Sequence, residues 1–248
     1  MHHFFVEPGQ IAGDVIRITG PDVNHMKHVL RMRPGEEVLV SDGGGRDYLC
    51  AVENLEDQAV DVRILKEEEA RELPSRIWLF QGLPKGDKME LIIQKAVELG
   101  AAGVIPVATK NAVVKLDSKK EEAKVRRWQA IAESAAKQSK RSLVPEIGRV
   151  MSFSEAAAYL DTAGFDLRLI PYENERGMEA TREAFRKAAT ARQIAVFIGP
   201  EGGFDEREIE LAGQAGILPV SLGKRILRTE TAGLTVLAAL MLRLEGGI

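Results

Sequence analysis

The sequence predicts an α/β protein made of a small N-terminal β-barrel and a larger C-terminal domain built on a mainly parallel sheet. Residues 1–68 contain five short apolar strand patterns and a single helical pattern, whereas the rest of the chain alternates strands with helices. An acidic, proline-containing stretch at 67–75 separates the two patterns and is typical of a linker. We therefore predict two domains, at residues 1–70 and 71–248.

The N-terminal strand patterns are short and are separated by turn residues. The glycine-rich stretch between the third and fourth strands is typical of a hairpin turn, because glycine tolerates positive φ. One helix is predicted at 22–30. Small barrels of this kind are common among nucleic-acid-binding proteins. The predicted strands lie at 4–6, 14–18, 37–40, 48–52 and 59–65.

The C-terminal domain shows the alternation expected of βαβ units, which build parallel sheets through right-handed crossovers. Its predicted strands lie at 77–80, 104–107, 167–170, 194–198 and 218–222. Its predicted helices lie at 87–99, 118–138, 179–189, 206–215 and 231–244.

Composition and charge are those of an ordinary globular protein, with 45% hydrophobic and 29% charged residues among 248. The net charge of −3 is unevenly distributed. Residues 71–150 contain 16 Lys and Arg against 9 Asp and Glu, whereas the remainder contains 18 against 28. A cationic segment in an acidic protein indicates a polyanionic partner. The alternative is a set of solvated helix faces.

Several classes of protein are disfavoured. The single cysteine, Cys50, excludes an intramolecular disulfide and is typical of the reducing cytoplasm. The N-terminus lacks the pattern of a signal peptide, and the apolar stretch at 234–242 is too short to span a bilayer. The four histidines form no cluster at metal-ligand spacing. We predict a cytoplasmic protein with no membrane segment and no metal.

Two loops near the C-terminus carry the most information. Residues 198–204 read IGPEGGF and residues 222–232 read LGKRILRTETA. Each loop follows a predicted strand, so parallel strands place both at the carboxyl edge of one sheet, where open α/β folds bind ligands. The spacing is that of neither a dinucleotide fingerprint nor a P-loop. For the first loop alone, a simple turn before a helix capped by Asp205 is the alternative.

The second loop favours a cofactor site. The apolar pair Ile226 and Leu227 is suited to sandwiching an adenine ring, while backbone groups read its edge. Arg228 beside the pair is suited to holding an anionic group. Neither loop contains cysteine, histidine or serine, so the site is better suited to gripping a cofactor than to covalent or metal chemistry. Helix capping by either threonine is the structural alternative.

These loops, together with GDKMELIIQKAVELG at 86–100, resemble the SPOUT-class trefoil-knotted RNA methyltransferases. Matching stretches at 24–33, 133–141 and 144–147 extend the resemblance over nearly the whole chain. It implies a PUA-like RNA-binding barrel, a knotted Rossmann-like domain, a homodimer and S-adenosyl-L-methionine as cofactor. Within this class the chain most resembles enzymes that methylate N3 of a uridine in 16S rRNA. The small ribosomal subunit, most simply in its assembled form, is therefore the expected partner.

The resemblance implies the cofactor loops, and the chemistry of methyl transfer to N3 suggests the catalytic residues among them. Arg228 is expected to stabilise the anion that forms on N3 and its flanking oxygens, and Glu201 is a weaker candidate for proton removal or cofactor positioning. A loop-fixing salt bridge is the alternative for both. The cofactor-binding candidates are Ile170, Pro171, Ile198, Gly199, Pro200, Gly202, Gly203, Leu222, Gly223, Ile226, Leu227, Thr229, Thr231 and Ala232.

An enzyme of this class needs cationic side chains that bind the RNA phosphates. The target base must also leave its stack to reach the methyl group. Lys88 and Lys95 are seven residues apart and hence share one helical face, for which solvation is the alternative. His3 stands where many relatives have an arginine, and histidine is mostly uncharged at neutral pH. The RNA-binding candidates are His3, His28, Arg31, Arg33, Lys85, Lys88, Lys95, Lys137, Lys140 and Arg141.

Two other functions remain open on the sequence. Many knotted relatives methylate a ribose 2′-hydroxyl, which would keep the fold and change the chemistry. A non-catalytic RNA-binding factor for ribosome assembly would keep the barrel and the basic segment. The intact second loop argues against the latter.

Overall fold

The computed structural model describes residues 1–247; for Ser118 it describes the backbone only. The chain forms two compact units. The first contains residues 1–72 together with 136–144, and the second contains residues 73–135 and the chain from 145 onward. The stretch 136–144, which the sequence places in the C-terminal domain, therefore packs within the first unit.

The first unit is built on a six-stranded sheet in the order β1-β4-β5-β6-β3-β2. The β1–β4 pair is parallel, and the other pairs are antiparallel. The predicted helix is a single α-turn that continues as a π-helical turn over His25–Val29. The elements are β1 (His2–Phe5), β2 (Ile11–Ala12), β3 (Val15–Thr19), α1 (Pro21–Asn24), β4 (Glu37–Ser41), β5 (Asp47–Leu55) and β6 (Ala59–Glu68).

The second unit is built on a seven-stranded sheet in which every described pair is parallel. Its strands are β7 (Arg76–Gly82), β8 (Ala101–Ala108), β9 (Glu146–Ile147), β10 (Met151–Ser152), β11 (Leu167–Pro171), β12 (Gln193–Ile198) and β13 (Leu218–Val220). Its helices are α2 (Lys88–Glu98), α3 (Ser118–Ser139), α4 (Phe153–Ala163), α5 (Glu179–Ala188), α6 (Glu206–Gln214) and α7 (Thr229–Leu244), and the last turn of α3, from residue 136, belongs to the first unit.

The order of this sheet, β10-β8-β7-β12-β11-β13, places the predicted loops together. The central strands β7 and β12 are apolar and buried along most of their length, as expected for strands covered on both faces. Phe80 of β7 stacks on Phe197 of β12, with ring centroids 4.4 Å apart. Because β11 lies between β12 and β13, the segments that follow these three strands meet at one edge of the sheet.

Helix α4 was not predicted, although its ends carry recognisable signals. Ser152 accepts a hydrogen bond from the Glu155 N–H, and the Glu155 side chain accepts one from the Ser152 N–H, which forms a capping box. Gly164 ends the helix in the left-handed conformation at φ 70°. The sequence SFSEAAAYLDTAG therefore contained both the start and the stop of a helix.

No helix within residues 1–247 is long and apolar enough to cross a membrane. The same residues contain no group of three or more His, Cys, Asp or Glu side chains arranged to hold a metal ion.

Candidate functional site

Three loops enclose a cleft of about 590 Å³ at the carboxyl edge of the parallel sheet. We call them the β11 loop (172–176), the β12 loop (199–205) and the β13 loop (221–228). The volume lies within the range typical of small-molecule sites. The placement agrees with the expectation that ligands bind beyond the carboxyl ends of parallel strands.

Most of the predicted cofactor residues line this cleft. Three do not. Ile170 is buried at 1% exposure, the Gly202 carbonyl accepts a hydrogen bond from the Asn111 amide, and Thr231 is exposed on α7. The lining candidates are Pro171, Ile198, Gly199, Pro200, Gly203, Leu222, Gly223, Ile226, Leu227, Thr229 and Ala232.

A buried hydroxyl joins the two predicted loops. Thr229 donates a hydrogen bond from Oγ1 to the Gly199 carbonyl at 2.6 Å and accepts one from Gln81 Nε2 at 2.9 Å. Gln81 is fully buried near the end of β7. The hydroxyl therefore fixes the start of α7 against the β12 loop. Sequence reasoning missed Gln81, and the available signal was a polar residue in an otherwise apolar strand.

The β12 loop also packs closely against β7. A Cβ placed on Gly82 would lie 2.7 Å from both Cδ and the backbone nitrogen of Pro200, which is closer than real Cβ atoms approach. Gly203 adopts φ 65°, a conformation that favours glycine. Both positions therefore require glycine for the observed course of the loop.

Glu201 is held by neighbouring donors. Its carboxylate lies 3.0 Å from Lys88 Nζ and accepts a hydrogen bond from the Lys85 N–H at 3.2 Å. Partial burial would raise the pKa of Glu201, but hydrogen bonds from its own backbone, from Lys88 and from Lys85 together hold that pKa below its usual value. The arrangement favours the loop-fixing alternative over proton removal, because an engaged carboxylate with a lowered pKa is a weak base.

Lys88 also lies 3.2 Å from Glu230, the second residue of α7. The hydrogen bond with Glu201, followed by that with Glu230, raises the pKa of Lys88 above its usual value. The Lys88 ammonium therefore links α2, the β12 loop and α7. Lys88, which was predicted to bind RNA, is therefore engaged in ion pairs with two carboxylates.

Arg228 lines the cleft as predicted and occupies the N-cap position of α7. It is exposed, and within residues 1–247 its guanidinium has no carboxylate within 4 Å and donates no hydrogen bond. Its charge adds to the effects of the Glu230 backbone and of Lys88, which hold the pKa of Glu230 below its usual value. A cation in this state is available to a ligand. Its role in catalysis stays a prediction.

Sequence reasoning missed the β11 loop. Glu173 faces the β12 loop, because a Cβ placed on Gly203 would lie 3.7 Å from its carboxylate. No hydrogen bond or ion pair engages the Glu173 carboxylate in the described part of the chain. No periodic pattern marks such a loop, so only its position after β11 would have indicated it. Lys88, predicted to bind RNA, also lines the cleft. The cleft-lining residues that were not predicted are Tyr172, Glu173, Asn174, Arg176, Phe204, Ser221, Lys224 and Arg225.

The lining fits a nucleoside that carries an amino-acid tail. The Ile226 side chain is 84% exposed, and Leu227 beside it is partly buried. An apolar side chain left uncovered in a cleft is suited to contact with a flat ring. The glycine backbone of the β12 and β13 loops offers polar groups at close range. The cofactor implied by the resemblance therefore matches the chemistry of this cleft.

The predicted RNA-binding residues are in different states. His3 and Arg141 are buried at 6% and 5% exposure, so neither offers a surface for phosphate. His3 Nε2 lies 2.7 Å from Ser41 Oγ, and Arg141 forms an ion pair with Glu72. The physical reason is that both side chains build the interior of the first unit.

Three lysines that were predicted to bind RNA form ion pairs. Lys88 pairs with Glu201 and Glu230, Lys95 with Glu98 at 2.8 Å, and Lys137 with Asp22 at 2.9 Å. The remaining candidates are exposed and have no carboxylate within 4 Å among residues 1–247. They are His28, Arg31, Arg33, Lys85 and Lys140.

Comparisons with known proteins agree with this arrangement. A family described as an RNA methyltransferase domain matches residues 71–241, and one described as an RNA methyltransferase PUA domain matches residues 18–65. The chain is 37% identical, over 253 aligned positions, to ribosomal RNA small subunit methyltransferase E of Bacillus subtilis. The match covers 99% of this chain and 98% of the relative.

Solved structures of methyltransferases are also similar to this chain over nearly its whole length. The ribosomal RNA small subunit methyltransferase E from Neisseria gonorrhoeae, bound to S-adenosyl methionine, has a TM-score of 0.83 at 32% identity, with 96% of each chain covered. A methyltransferase from Legionella pneumophila in complex with the same cofactor has a TM-score of 0.80 at 32% identity, also with 96% of each chain covered.

Proposed function

Because the chain belongs to the ribosomal RNA small subunit methyltransferase E family, we propose that it transfers a methyl group from S-adenosyl-L-methionine to N3 of a uridine in 16S rRNA. The observation that carries the proposal is the cleft at the carboxyl edge of the parallel sheet. It joins an uncovered apolar side chain, Ile226, to an exposed cation, Arg228, which has no carboxylate within 4 Å among residues 1–247.

The cleft residues hold and orient the cofactor. Ile226 and Leu227 would hold the adenine of the bound cofactor, and the backbone of the β12 and β13 loops would bind the polar groups of its nucleoside. The hydrogen bonds of Thr229 with Gly199 and Gln81 hold the β12 loop against the start of α7. When bound, the cofactor supplies a methyl group attached to a positively charged sulfur. After transfer of the methyl group, that sulfur becomes a neutral thioether.

The substrate nitrogen requires help from the protein, because N3 of uracil is protonated and a poor nucleophile at neutral pH. The proposed acceptor of this proton is Glu173, which lines the cleft without a hydrogen-bonding partner among residues 1–247. Arg228 stabilises the negative charge that then spreads over N3 and its flanking oxygens. Glu201, engaged by Lys88, keeps the β12 loop in place.

The partners follow from the substrate. The protein acts on the small ribosomal subunit in the cytoplasm, with the assembled particle as the preferred form of the RNA. It works as a homodimer, as the family resemblance implies. The PUA-like first unit, with exposed Arg31 and Arg33, contributes to RNA binding.

The test is methyl transfer from labelled S-adenosylmethionine to unmodified small subunits and to unmodified 16S rRNA, followed by nucleoside analysis. The expected product is N3-methyluridine. A 2′-O-methyl product would overturn the chemistry and keep the fold. Neither transfer nor cofactor binding would leave an RNA-binding factor in place of an enzyme.

A further inference from the structure

Three cations surround the mouth of the cleft. Arg176 lies on the β11 loop, and Lys224 and Arg225 lie on the β13 loop. All three line the cleft and are exposed. None has a carboxylate within 4 Å among residues 1–247, and none of their side chains donates a hydrogen bond there. Elsewhere in the second unit many exposed cations are paired, for example Arg182 with Glu179.

The cofactor does not supply the missing negative charge. Its amino-acid tail carries one positive and one negative group, and its sulfonium adds a further positive charge. Binding the cofactor therefore increases the positive charge of the cleft. Of the carboxylates near the cleft, Glu201 and Glu230 are engaged by Lys88, and Glu173 adds one unengaged negative charge. The unengaged cations of the cleft outnumber this carboxylate, so the cleft favours an anionic ligand.

Four of the residues predicted to bind RNA are less suited to this role. Lys88, Lys95, Lys137 and Arg141 have carboxylate partners, so a phosphate would have to displace an existing ion pair to reach them. A cation without such a partner loses only hydration and side-chain freedom when it binds a phosphate. The three cations at the mouth therefore offer the less costly contacts close to the reaction.

We propose that Arg176, Lys224 and Arg225 form a phosphate clamp that binds the backbone phosphates on either side of the nucleotide inserted in the cleft. The inference rests on the proposed function, because a splayed nucleotide brings its own flanking phosphates to the mouth of the site. Two loops supply the clamp, so phosphates on both sides of the target base are contacted. These contacts fix the position of the RNA and carry no sequence information.

The test compares two triple variants with the same change in net charge. The clamp variant is Arg176→Gln, Lys224→Gln, Arg225→Gln. The control variant is Arg182→Gln, Arg186→Gln, Lys187→Gln on α5, where the cations are exposed and paired with Glu179 or Glu183. Binding of unmodified 16S rRNA is measured over a series of salt concentrations, together with kcat, KM for RNA and the Kd for S-adenosylmethionine.

For the clamp variant we expect the slope of log Kd against log salt to fall by about 2, since each lost phosphate contact removes roughly 0.7–0.9 from it. We expect KM for RNA to rise at least about tenfold, in keeping with the loss of several phosphate contacts. The Kd for the cofactor should equal that of the wild type. The control variant should show less than half of these changes.

Two results would overturn the clamp. One is an unchanged salt slope and KM in the clamp variant, and the other is a weakened affinity for the cofactor, which would make the three cations part of its binding site. The wild-type protein separates the clamp from the function itself. If the wild type binds no RNA and transfers no methyl group, the proposed function fails; if the wild type is active and the clamp variant behaves like the control, only the clamp fails.

Discussion

Arg228 is the cation within the cleft that we expect to touch the reacting base. Replacing it by glutamine removes the positive charge and keeps a polar side chain of similar reach. We expect kcat to fall roughly 10²–10³-fold, as for the loss of one preorganised electrostatic donor. Steady-state kinetics at saturating RNA and cofactor checks this, with Arg207→Gln on α6 as a matched control outside the cleft lining. A loss below tenfold at normal cofactor affinity would exclude Arg228 from the reaction.

Two carboxylates near the cleft are expected to respond differently to the loss of charge. Glu173→Gln should lower kcat about 10²-fold, the smaller end of what a general base contributes, and leave cofactor affinity unchanged. The loss should diminish as the pH rises, because hydroxide then removes the N3 proton.

Glu201→Gln breaks the ion pair with Lys88 and should weaken cofactor binding more than it lowers kcat. The opposite assignment of the two effects would make Glu201 the base.

His3 is a buried titratable group whose state can be read from its neighbours. The Ser41 hydroxyl donates to Asp47, so His3 Nε2 donates its hydrogen to Ser41. Burial lowers the pKa of His3 to about 4, against the opposing effects of Asp47 and of a hydrogen bond with the Lys137 backbone. The ring is therefore neutral in the folded protein at neutral pH.

The lowered pKa of His3 predicts a loss of stability in mild acid. An unfolded histidine binds a proton near pH 6.5, whereas the folded protein resists protonation down to about 4. The stabilisation is complete above pH 6.5 and is lost as the pH falls toward 4, by up to about 3 kcal/mol. Urea unfolding at pH 7.5 and 5 should show a smaller decrease for His3→Gln than for the wild type. Equal decreases would contradict the assignment, with the charged neighbours Asp47, Arg71 and Lys137 unchanged in both proteins.

At this scale the sequence predicted where the loop residues lie and missed the partners of single side chains. Arg228 and most glycines of the loops lie where the strand-loop-helix pattern placed them. The spacing of Lys88 and Lys95 correctly put them on one helix, but the partners of Lys88, Glu201 and Glu230, lie more than 100 residues away in sequence. No local pattern encodes such a contact.

Among the elements, the close approach of β7 to the β12 loop gives the clearest prediction. Gly82→Ala puts a Cβ against the backbone of Pro200, which cannot move without displacing the loop. We expect cofactor affinity to fall at least tenfold, in line with the cost of overpacking of about 1–3 kcal/mol. Isothermal titration with S-adenosylmethionine measures it.

Gly213→Ala in α6 is the matched control, since nothing lies within 4 Å of the added Cβ. Alanine in a helix interior should leave cofactor affinity unchanged and slightly raise stability. Equal cofactor affinities for the Gly82 and Gly213 variants would mean that the β12 loop adjusts freely to the extra methyl group.

The elements themselves were largely predictable because hydrophobic periodicity reports the buried face of each one. Every predicted strand and helix of the parallel sheet appears within a few residues of its expected bounds. Two features lay outside this signal. The two-residue strands β9 and β10 are too short to show a period, and the π-helical turn at His25–Val29 follows from no local preference.

For the whole molecule, the assembly of the cleft depends on strand order. Three loops that are far apart in sequence meet because β11 lies between β12 and β13, and periodicity is silent on that order. The stretch 136–144 is a second example. Ser142 donates to the buried Asp47 at 2.8 Å, and the Ser142 and Leu143 N–H groups donate to Glu72, so this stretch packs within the first unit. The knot likewise follows from resemblance, because threading leaves no trace in a hydrophobic pattern.

The last prediction concerns the homodimer. Helix α7 is apolar around most of its circumference, and a helix of this kind is expected to be covered on most faces. It packs on α2 along one side, yet Leu242 of α7 and Leu91 of α2 are 43% and 45% exposed. A second copy of the chain that covers these leucines would complete their burial.

We therefore expect wild-type protein to have the mass of a dimer in size-exclusion chromatography with light scattering, and the double variant Leu91→Lys, Leu242→Lys to have that of a monomer. Each lysine would place a charge in an apolar contact, which is costly without a partner. Val113→Lys is the control, because Val113 is 67% exposed and lies on neither helix. A dimeric double variant would place the contact between copies elsewhere, and a monomeric wild type would remove the dimer altogether.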